Sequence, residues 1–132
     1  MKIRLGVPIA AFLLVMSATL AAAQSPPGDP EAGEDVFRKC RACHDIGPDA
    51  RNKVGPLLTG IIGRKAGTIA GYAYSPANSA AGTAGLVWSE DELFKYLENP
   101  QAYMPKNNMA FVGLKDEQDR RDVIAYLKKL SK

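Results

Sequence analysis

Both cysteines and the only histidine of this 132-residue chain lie within five consecutive residues, 40–44. The order is Cys40-Arg41-Ala42-Cys43-His44, so two thiols are separated by two residues and an imidazole follows directly. This cluster constrains the fold more than any other feature, because the rest of the chain has to surround whatever these three side chains bind.

Three common uses of paired cysteines fit this segment poorly. A disulfide between Cys40 and Cys43 would close a short loop and stabilise little. A thioredoxin-like redox pair needs a preceding strand, and no strand pattern precedes Cys40. A structural zinc site needs four nitrogen or sulfur ligands, and the chain has no fourth cysteine or second histidine to offer. The remaining use is covalent haem attachment through both thiols, with His44 as an iron ligand.

The first 23 residues have the pattern of a secretory signal peptide. Lys2 and Arg4 are followed by an apolar run from Leu5 to Leu20 and by three alanines, 21–23. The run is short for a bilayer-spanning anchor, which needs about 20 apolar residues. We therefore expect cleavage of residues 1–23 and a single domain over residues 24–132, with an uncleaved membrane anchor as the alternative.

The charge of the predicted domain is nearly balanced. Two of the 17 basic residues lie in the signal segment, so 15 basic and 14 acidic residues remain, a formal charge of +1. Nucleic-acid binding would need a strongly basic surface and is not expected. Export places the thiols in an oxidising compartment that permits haem attachment.

Three helices are predicted from capping residues and apolar spacing. The first begins at Asp29-Pro30 and runs through Cys40. The second covers residues 89–99, where Ser89 and Glu92 form a capping-box pattern. The third covers residues 116–130, with Asp116 as its cap and an i, i+3, i+4, i+7 stripe formed by Val123, Ile124, Tyr126, Leu127 and Leu130.

The intervening segments, 45–88 and 100–113, are predicted to be loops, with one short helical turn near Gly60. Loops of this length are unusual in a small domain unless they are disordered or wrapped around something. They contain apolar residues, including Leu57, Leu58, Ile61, Ile62, Tyr72, Tyr74, Met104 and Phe111. A large apolar ligand at the centre would explain them.

A second axial ligand of the iron cannot be histidine, because only one histidine exists. Met1 and Met16 lie in the signal segment, which leaves Met104 and Met109. Both occur far along the chain from His44, as a ligand on the opposite face of a haem would. From spacing alone the choice between them stays open, and a lysine, water or an empty position are the other outcomes.

Longer segments resemble the class I cytochromes c, in particular bacterial cytochromes c2 and mitochondrial cytochromes c. In order along the chain they are VFRKCRACH, VGPLLTGIIGRKAG, YAYSPANSAAGTAGLVW, YLENPQAYMPKNNMAF and DVIAYLKKL. The resemblance covers nearly all of residues 31–130. It implies an all-α class I cytochrome c fold, with three main helices plus short helices and long loops wrapped around one covalently bound haem c and its iron.

The resemblance also implies roles for individual residues. Cys40 and Cys43 would form the haem thioethers, and His44 and Met109 the axial ligands, with Met104 left as packing. The Pro56 carbonyl would accept a hydrogen bond from His44. The remaining implied contacts are with the haem propionates or Met109 for Tyr74, Trp88, Arg64, Tyr96, Asn78 and Asn107, and between the first and last helices for Gly33, Phe37 and Tyr126. Ordinary core packing is the alternative for the aromatic residues, and a surface charge for Arg64.

By the same resemblance the chain is a soluble, monomeric electron carrier of the periplasm rather than an enzyme. It would carry electrons from a cytochrome bc1-type complex to a terminal oxidase or a photosynthetic reaction centre. The alternatives are a haem protein with an open iron site, which binds ligands or acts like a peroxidase, and a carrier tethered by its uncleaved N-terminal segment.

Two departures from the family concern the loop and the surface. Residues 79–87 form a longer stretch than in short members, and Asp35, Gln101, Asn108 and Asp116 stand where relatives often carry lysine. We still expect a positive end near the haem edge and a negative end on the last helix. The basic residues are Lys39, Arg41, Lys53, Lys106 and Lys115, and the acidic ones are Asp116, Glu117, Asp119 and Asp122.

Overall fold

The computed structural model describes residues 25–131, which form five helices and no extended sheet. The predicted signal peptide lies outside these residues. The helices are α1 (Pro30–Phe37), α2 (Pro76–Thr83), α3 (Glu90–Glu98), α4 (Pro100–Tyr103) and α5 (Glu117–Lys129). An isolated antiparallel bridge joins Lys65 to Val87. None of the described helices is long and apolar enough to cross a bilayer.

Local capping explains where the three main helices begin. Asp29 and Asp116 accept hydrogen bonds from backbone amides in the first turns of α1 and α5. Ser89 caps α3 by accepting from the Glu92 amide at 3.1 Å. The predicted capping box is only half formed, because the Glu92 carboxylate accepts from Lys95 and Tyr103.

Two sequence expectations about the loops were wrong. The segment 45–88 contains the eight-residue helix α2, with Ser75 as its N-cap and Pro76 in its first turn. Residues near Gly60 form a turn but no helix. The segment 100–113 likewise begins with the short helix α4, capped by Asn99. The first helix ends at Phe37 rather than Cys40, and the chain continues in tighter turns.

The core joins α1 and α5 and extends to α3. Phe37 and Tyr126 pack with ring centroids 5.3 Å apart. A Cβ atom at Gly33 would overlap the carbonyl oxygen of Asp122, so glycine lets the two helices touch at the backbone. The other buried apolar residues include Val36, Leu93, Leu97, Val123, Ile124 and Leu127. This packed pair of helices holds the Cys40–His44 segment at its edge.

Candidate haem site

Successive tight turns after α1 present the two cysteines. The amides of Cys43 and His44 both donate to the Cys40 carbonyl, at 3.0 and 2.9 Å. Both thiols are free, with Cys43 exposed and Cys40 partly buried. Burial raises the pKa of Cys40 to about 11. The disulfide alternative is therefore not adopted, and both sulfur atoms are available for bonds to another group.

The His44 imidazole is fixed by the backbone of residues 55 and 56. Its Nδ1 lies 2.7 Å from the Pro56 carbonyl oxygen, so Nδ1 carries the proton and Nε2 keeps its lone pair. Gly55 lies against the ring, where a Cβ atom would come within 2.8 Å of Nε2. Burial lowers the pKa of His44, outweighing the opposing effect of the Pro56 contact. The ring is thus neutral and oriented at neutral pH, as metal coordination requires.

The two candidate methionines occupy different environments. Met104 is 6% exposed and belongs to the apolar core. Met109 is partly buried, and its Sδ accepts a hydrogen bond from the Tyr96 hydroxyl at 3.2 Å. Burial raises the pKa of Tyr96 to about 12, so the hydroxyl remains a donor at neutral pH. Of the two sulfur atoms, the one of Met109 is placed in a polar contact.

Side-chain amides hold the loop that carries Met109. Asn107 is 9% exposed, and its Oδ1 accepts from the Met109 amide at 2.7 Å. Its Nδ2 donates to the carbonyls of Pro100 and Met104. Gln101 Nε2 lies 3.1 Å from the Asn107 and Met109 carbonyls. Sequence reasoning named Asn107 but missed Gln101, because nothing in the local pattern shows which carbonyls a loop presents.

Arg64 lies partly buried rather than on the surface. Its guanidinium donates to the carbonyls of Leu57, at 2.9 Å, and Thr59. Burial lowers its pKa, and the neighbouring Tyr74 opposes that shift. The Arg64 backbone pairs with Trp88, whose amide donates to the Arg64 carbonyl at 2.8 Å. The surface-charge alternative for Arg64 is wrong, since the side chain ties residues 57–59 to the Trp88 segment.

Trp88 joins an aromatic cluster beneath Met109. Its ring lies 4.8 Å from that of Tyr96 and 6.3 Å from that of Tyr103. Asn78 is separate from this cluster: its Oδ1 is buried and has no protein partner. The hydrogen bonds found among residues 25–131 join Tyr96 and Asn107 to Met109 without including the Asn78 side chain.

Comparison with known proteins places this arrangement in a family. The family model described as cytochrome c matches residues 30–131. The chain belongs to the cytochrome c family. Cytochrome c2 from Blastochloris viridis is 47% identical over 120 residues, covering 91% of this chain and 89% of the relative. Cytochrome c2 iso-1 from Rhodospirillum centenum is 50% identical, covering 79% of this chain and 98% of the relative.

Solved structures agree with the sequence comparison. The structure of cytochrome c2 from Rhodospirillum centenum superimposes with a TM-score of 0.76 at 49% identity, covering 80% of this chain and all of that one. The predicted class I cytochrome c fold is confirmed, as is its similarity to cytochrome c2. The chain is a haem c protein that carries electrons and is not an enzyme.

The residues present in this cytochrome fit haem c. Two free thiols at the required spacing precede an imidazole whose Nε2 lone pair is available. Gly55 leaves the imidazole unobstructed by a side chain. The buried, unpartnered Oδ1 of Asn78 marks a polar position that the protein itself leaves unsatisfied. These features belong to different parts of the chain, and a single large cofactor accounts for them together.

Proposed function

We propose that this cytochrome is a diffusible periplasmic carrier with His/Met ligation. Cys40 and Cys43 would form the two thioethers, and His44 Nε2 and Met109 Sδ would bind the iron from opposite faces. The observation that carries the proposal is the polar support behind both ligands. Pro56 accepts from His44 Nδ1, and Tyr96 donates to Met109 Sδ.

Ligation by both residues suits electron transfer. When bound, haem c supplies a one-electron Fe(II)/Fe(III) couple, and a thioether ligand raises its potential. The chain would hold His44 and Met109 in place in both oxidation states, because each ligand is fixed by hydrogen bonds to neighbouring residues. With both axial positions filled there is no site for a substrate, which distinguishes this proposal from an open-iron protein.

Other residues would hold the polar edge of the cofactor. We assign this role to Tyr74, Trp88, Arg64 and Asn78. The unpartnered Asn78 Oδ1 supports a polar neighbour supplied by the cofactor or by water. Arg64 already donates to two carbonyls. It would therefore act mainly by shaping residues 57–59 and by placing positive charge near the propionates.

The location and partners follow from the leader-like N-terminus and the family. Cleavage of residues 1–23 would release the domain into the periplasm, which N-terminal sequencing of the native protein tests directly. A start near Gln24 is expected, and an intact Met1 would indicate tethering. The proposed donor is a cytochrome bc1-type complex and the proposed acceptor a terminal oxidase or reaction centre. Stopped-flow electron transfer with each isolated complex tests these two assignments.

Ligand assignment is tested by two methionine variants. Met109→Ala is expected to keep the covalent haem, lose the weak far-red absorption of a Met–Fe(III) bond and bind carbon monoxide when reduced. Met104→Ala should keep the band and lose about 2–5 kcal/mol of stability, because a buried side chain is truncated. A Met104→Ala protein without the band, beside a Met109→Ala protein that retains it, would reverse the assignment.

A further inference from the structure

The loop from Met104 to Met109 has little support from its own backbone. Its internal hydrogen bond runs from the Asn107 amide to the Met104 carbonyl at 3.3 Å. Lys106 adopts φ 65°, the left-handed region that side chains disfavour. Pro105, Lys106 and Asn108 are exposed. The position of Met109 therefore depends on contacts that reach the loop from elsewhere.

Two side-chain amides provide those contacts. Gln101, on α4, places its Nε2 3.1 Å from the Asn107 carbonyl, Asn107 Oδ1 and the Met109 carbonyl. Asn107 Oδ1 in turn accepts from the Met109 amide at 2.7 Å. Both backbone polar groups of Met109 are thus tied to this pair. The helix that carries Gln101 is fixed by its Asn99 cap.

We propose that Gln101 and Asn107 form an amide clamp that holds Met109 in position as an iron ligand, with Gln101 as a positioning residue. The inference rests on the proposed function, in which Met109 Sδ binds the iron. The clamp acts on the backbone of Met109, whereas Tyr96 acts on its sulfur. Release of the clamp shifts the equilibrium between bound and displaced methionine, so a competing ligand binds more readily.

The effect is expected to be local, because Gln101 is exposed and touches only this loop. One net hydrogen bond changes an equilibrium constant by a factor of about five. Gln101→Glu keeps the shape of the side chain but has no N–H to donate, and its charge would face three oxygen atoms. Gln101→Ala removes the side chain without adding charge. Both variants should release Met109 more easily.

Gln118 provides a matched control elsewhere in the molecule. Its Nε2 also makes two hydrogen bonds, to the Pro27 carbonyl at 3.2 Å and to Asp122 Oδ1 at 2.8 Å. These contacts join the N-terminal segment to α5. Gln118→Ala should therefore lower the unfolding midpoint without changing the ligation of Met109.

The experiment titrates the oxidised holoprotein with imidazole and follows the far-red band, and measures hydrogen exchange of the Met109 amide. We expect both Gln101 variants to bind imidazole about fivefold more tightly and to exchange the Met109 amide faster, with Gln118→Ala within twofold of the wild type. The Leu114 amide, bound to the Leu97 carbonyl, should exchange as in the wild type.

Unchanged imidazole affinity in both Gln101 variants overturns the clamp, even if the Met109 amide exchanges faster. An equal gain in affinity in Gln118→Ala also overturns it, because the effect would then be one of general stability. Failure of the proposed function looks different: the wild-type protein would lack the far-red band, or Met109→Ala would keep it.

Discussion

At the scale of single residues, the His44 ring is positioned by backbone rather than by other side chains. The Pro56 carbonyl holds Nδ1, and the absence of a Cβ atom at Gly55 lets the chain pass directly against the ring. The Gly55 amide also donates to the Cys43 carbonyl at 2.7 Å. Residues 55 and 56 therefore couple the imidazole to the cysteine segment.

Gly55→Ala tests this coupling. The added methyl group would lie within 2.8 Å of two ring atoms, so the ring or residues 55–56 must shift. We expect a loss of about 1–3 kcal/mol of stability, together with a changed reduction potential measured by voltammetry.

Gly85→Ala is the control for this prediction. Position 85 has φ +99° and open space around it, so the cost there is backbone strain. Its potential should equal that of the wild type while its stability falls. A Gly55→Ala protein with unaltered potential and unfolding midpoint would refute the role of Gly55.

At the scale of elements, one side-chain contact joins α3 to α4. The Tyr103 hydroxyl donates to the Glu92 carboxylate. Burial, followed by this hydrogen bond, raises the pKa of Tyr103 to about 12. The same contact lowers the pKa of Glu92. The link therefore needs a protonated tyrosine and an ionised carboxylate.

The pH dependence follows from those two directions. Because the folded pKa of Tyr103 is raised, its stabilisation is complete below pH 10 and is lost as the pH rises towards 12. Because that of Glu92 is lowered, its part is present above its ordinary pKa of 4.5 and is lost as the pH falls below it. Tyr103→Phe should thus lower the unfolding midpoint most between about pH 5 and 10, as measured by chemical denaturation across the pH range. A difference independent of pH would contradict this account.

The contact between α1 and α5 leads to a second prediction for elements. Gly33→Ala should improve helix propensity by about 1 kcal/mol, but its methyl group would overlap the Asp122 carbonyl. We expect separation of the helices and a net loss of about 1–3 kcal/mol in denaturant unfolding.

Glu34→Ala, at the neighbouring exposed position, serves as its control. Its ion pair with Arg41 is exposed, so the change in stability should stay within about 0.5 kcal/mol. If Gly33→Ala proves more stable than the wild type, the close approach of the helices is not required.

At the scale of the whole molecule, the predicted positive face is only partly free. Lys39 pairs with Asp119 and Arg41 with Glu34, each at 3.3 Å. The ion pairs found within residues 25–131 do not include Lys53, Lys106 or Lys115. These three lysines should therefore contribute most to the attraction of an acidic redox partner.

Charge reversal of Lys53 and Lys106 to glutamate should slow electron transfer to the native partner at low salt. The difference should shrink as the screening length falls to about 8 Å at physiological ionic strength. Lys128→Glu with Lys129→Glu makes the same change in net charge at the C-terminal end of α5. Equal slowing by the two double variants in stopped-flow measurements would show that total charge, rather than its distribution, sets the rate.

Sequence alone predicted the features that are encoded locally. The caps Asp29, Ser89 and Asp116 fixed the beginnings of the main helices, because capping involves residues two or three positions away. Helix α2 was missed although Ser75-Pro76 gives the same signal, since PANSAAGT has no apolar stripe. The contacts of Gln101 and Arg64 were not predictable, because they end on carbonyl groups whose directions depend on the folded loops.

The union of the two chain ends has a consequence for the order of biogenesis. The Asp29 amide binds Asp122, 93 positions away, and Gly33 lies against the same residue. A polypeptide delivered N-terminus first cannot complete this closure until its final helix has emerged. During that interval the Cys40–His44 segment lacks the covering that α5 gives to α1, so both thiols stay accessible to an attachment enzyme. The topology thereby schedules cofactor loading before folding is finished.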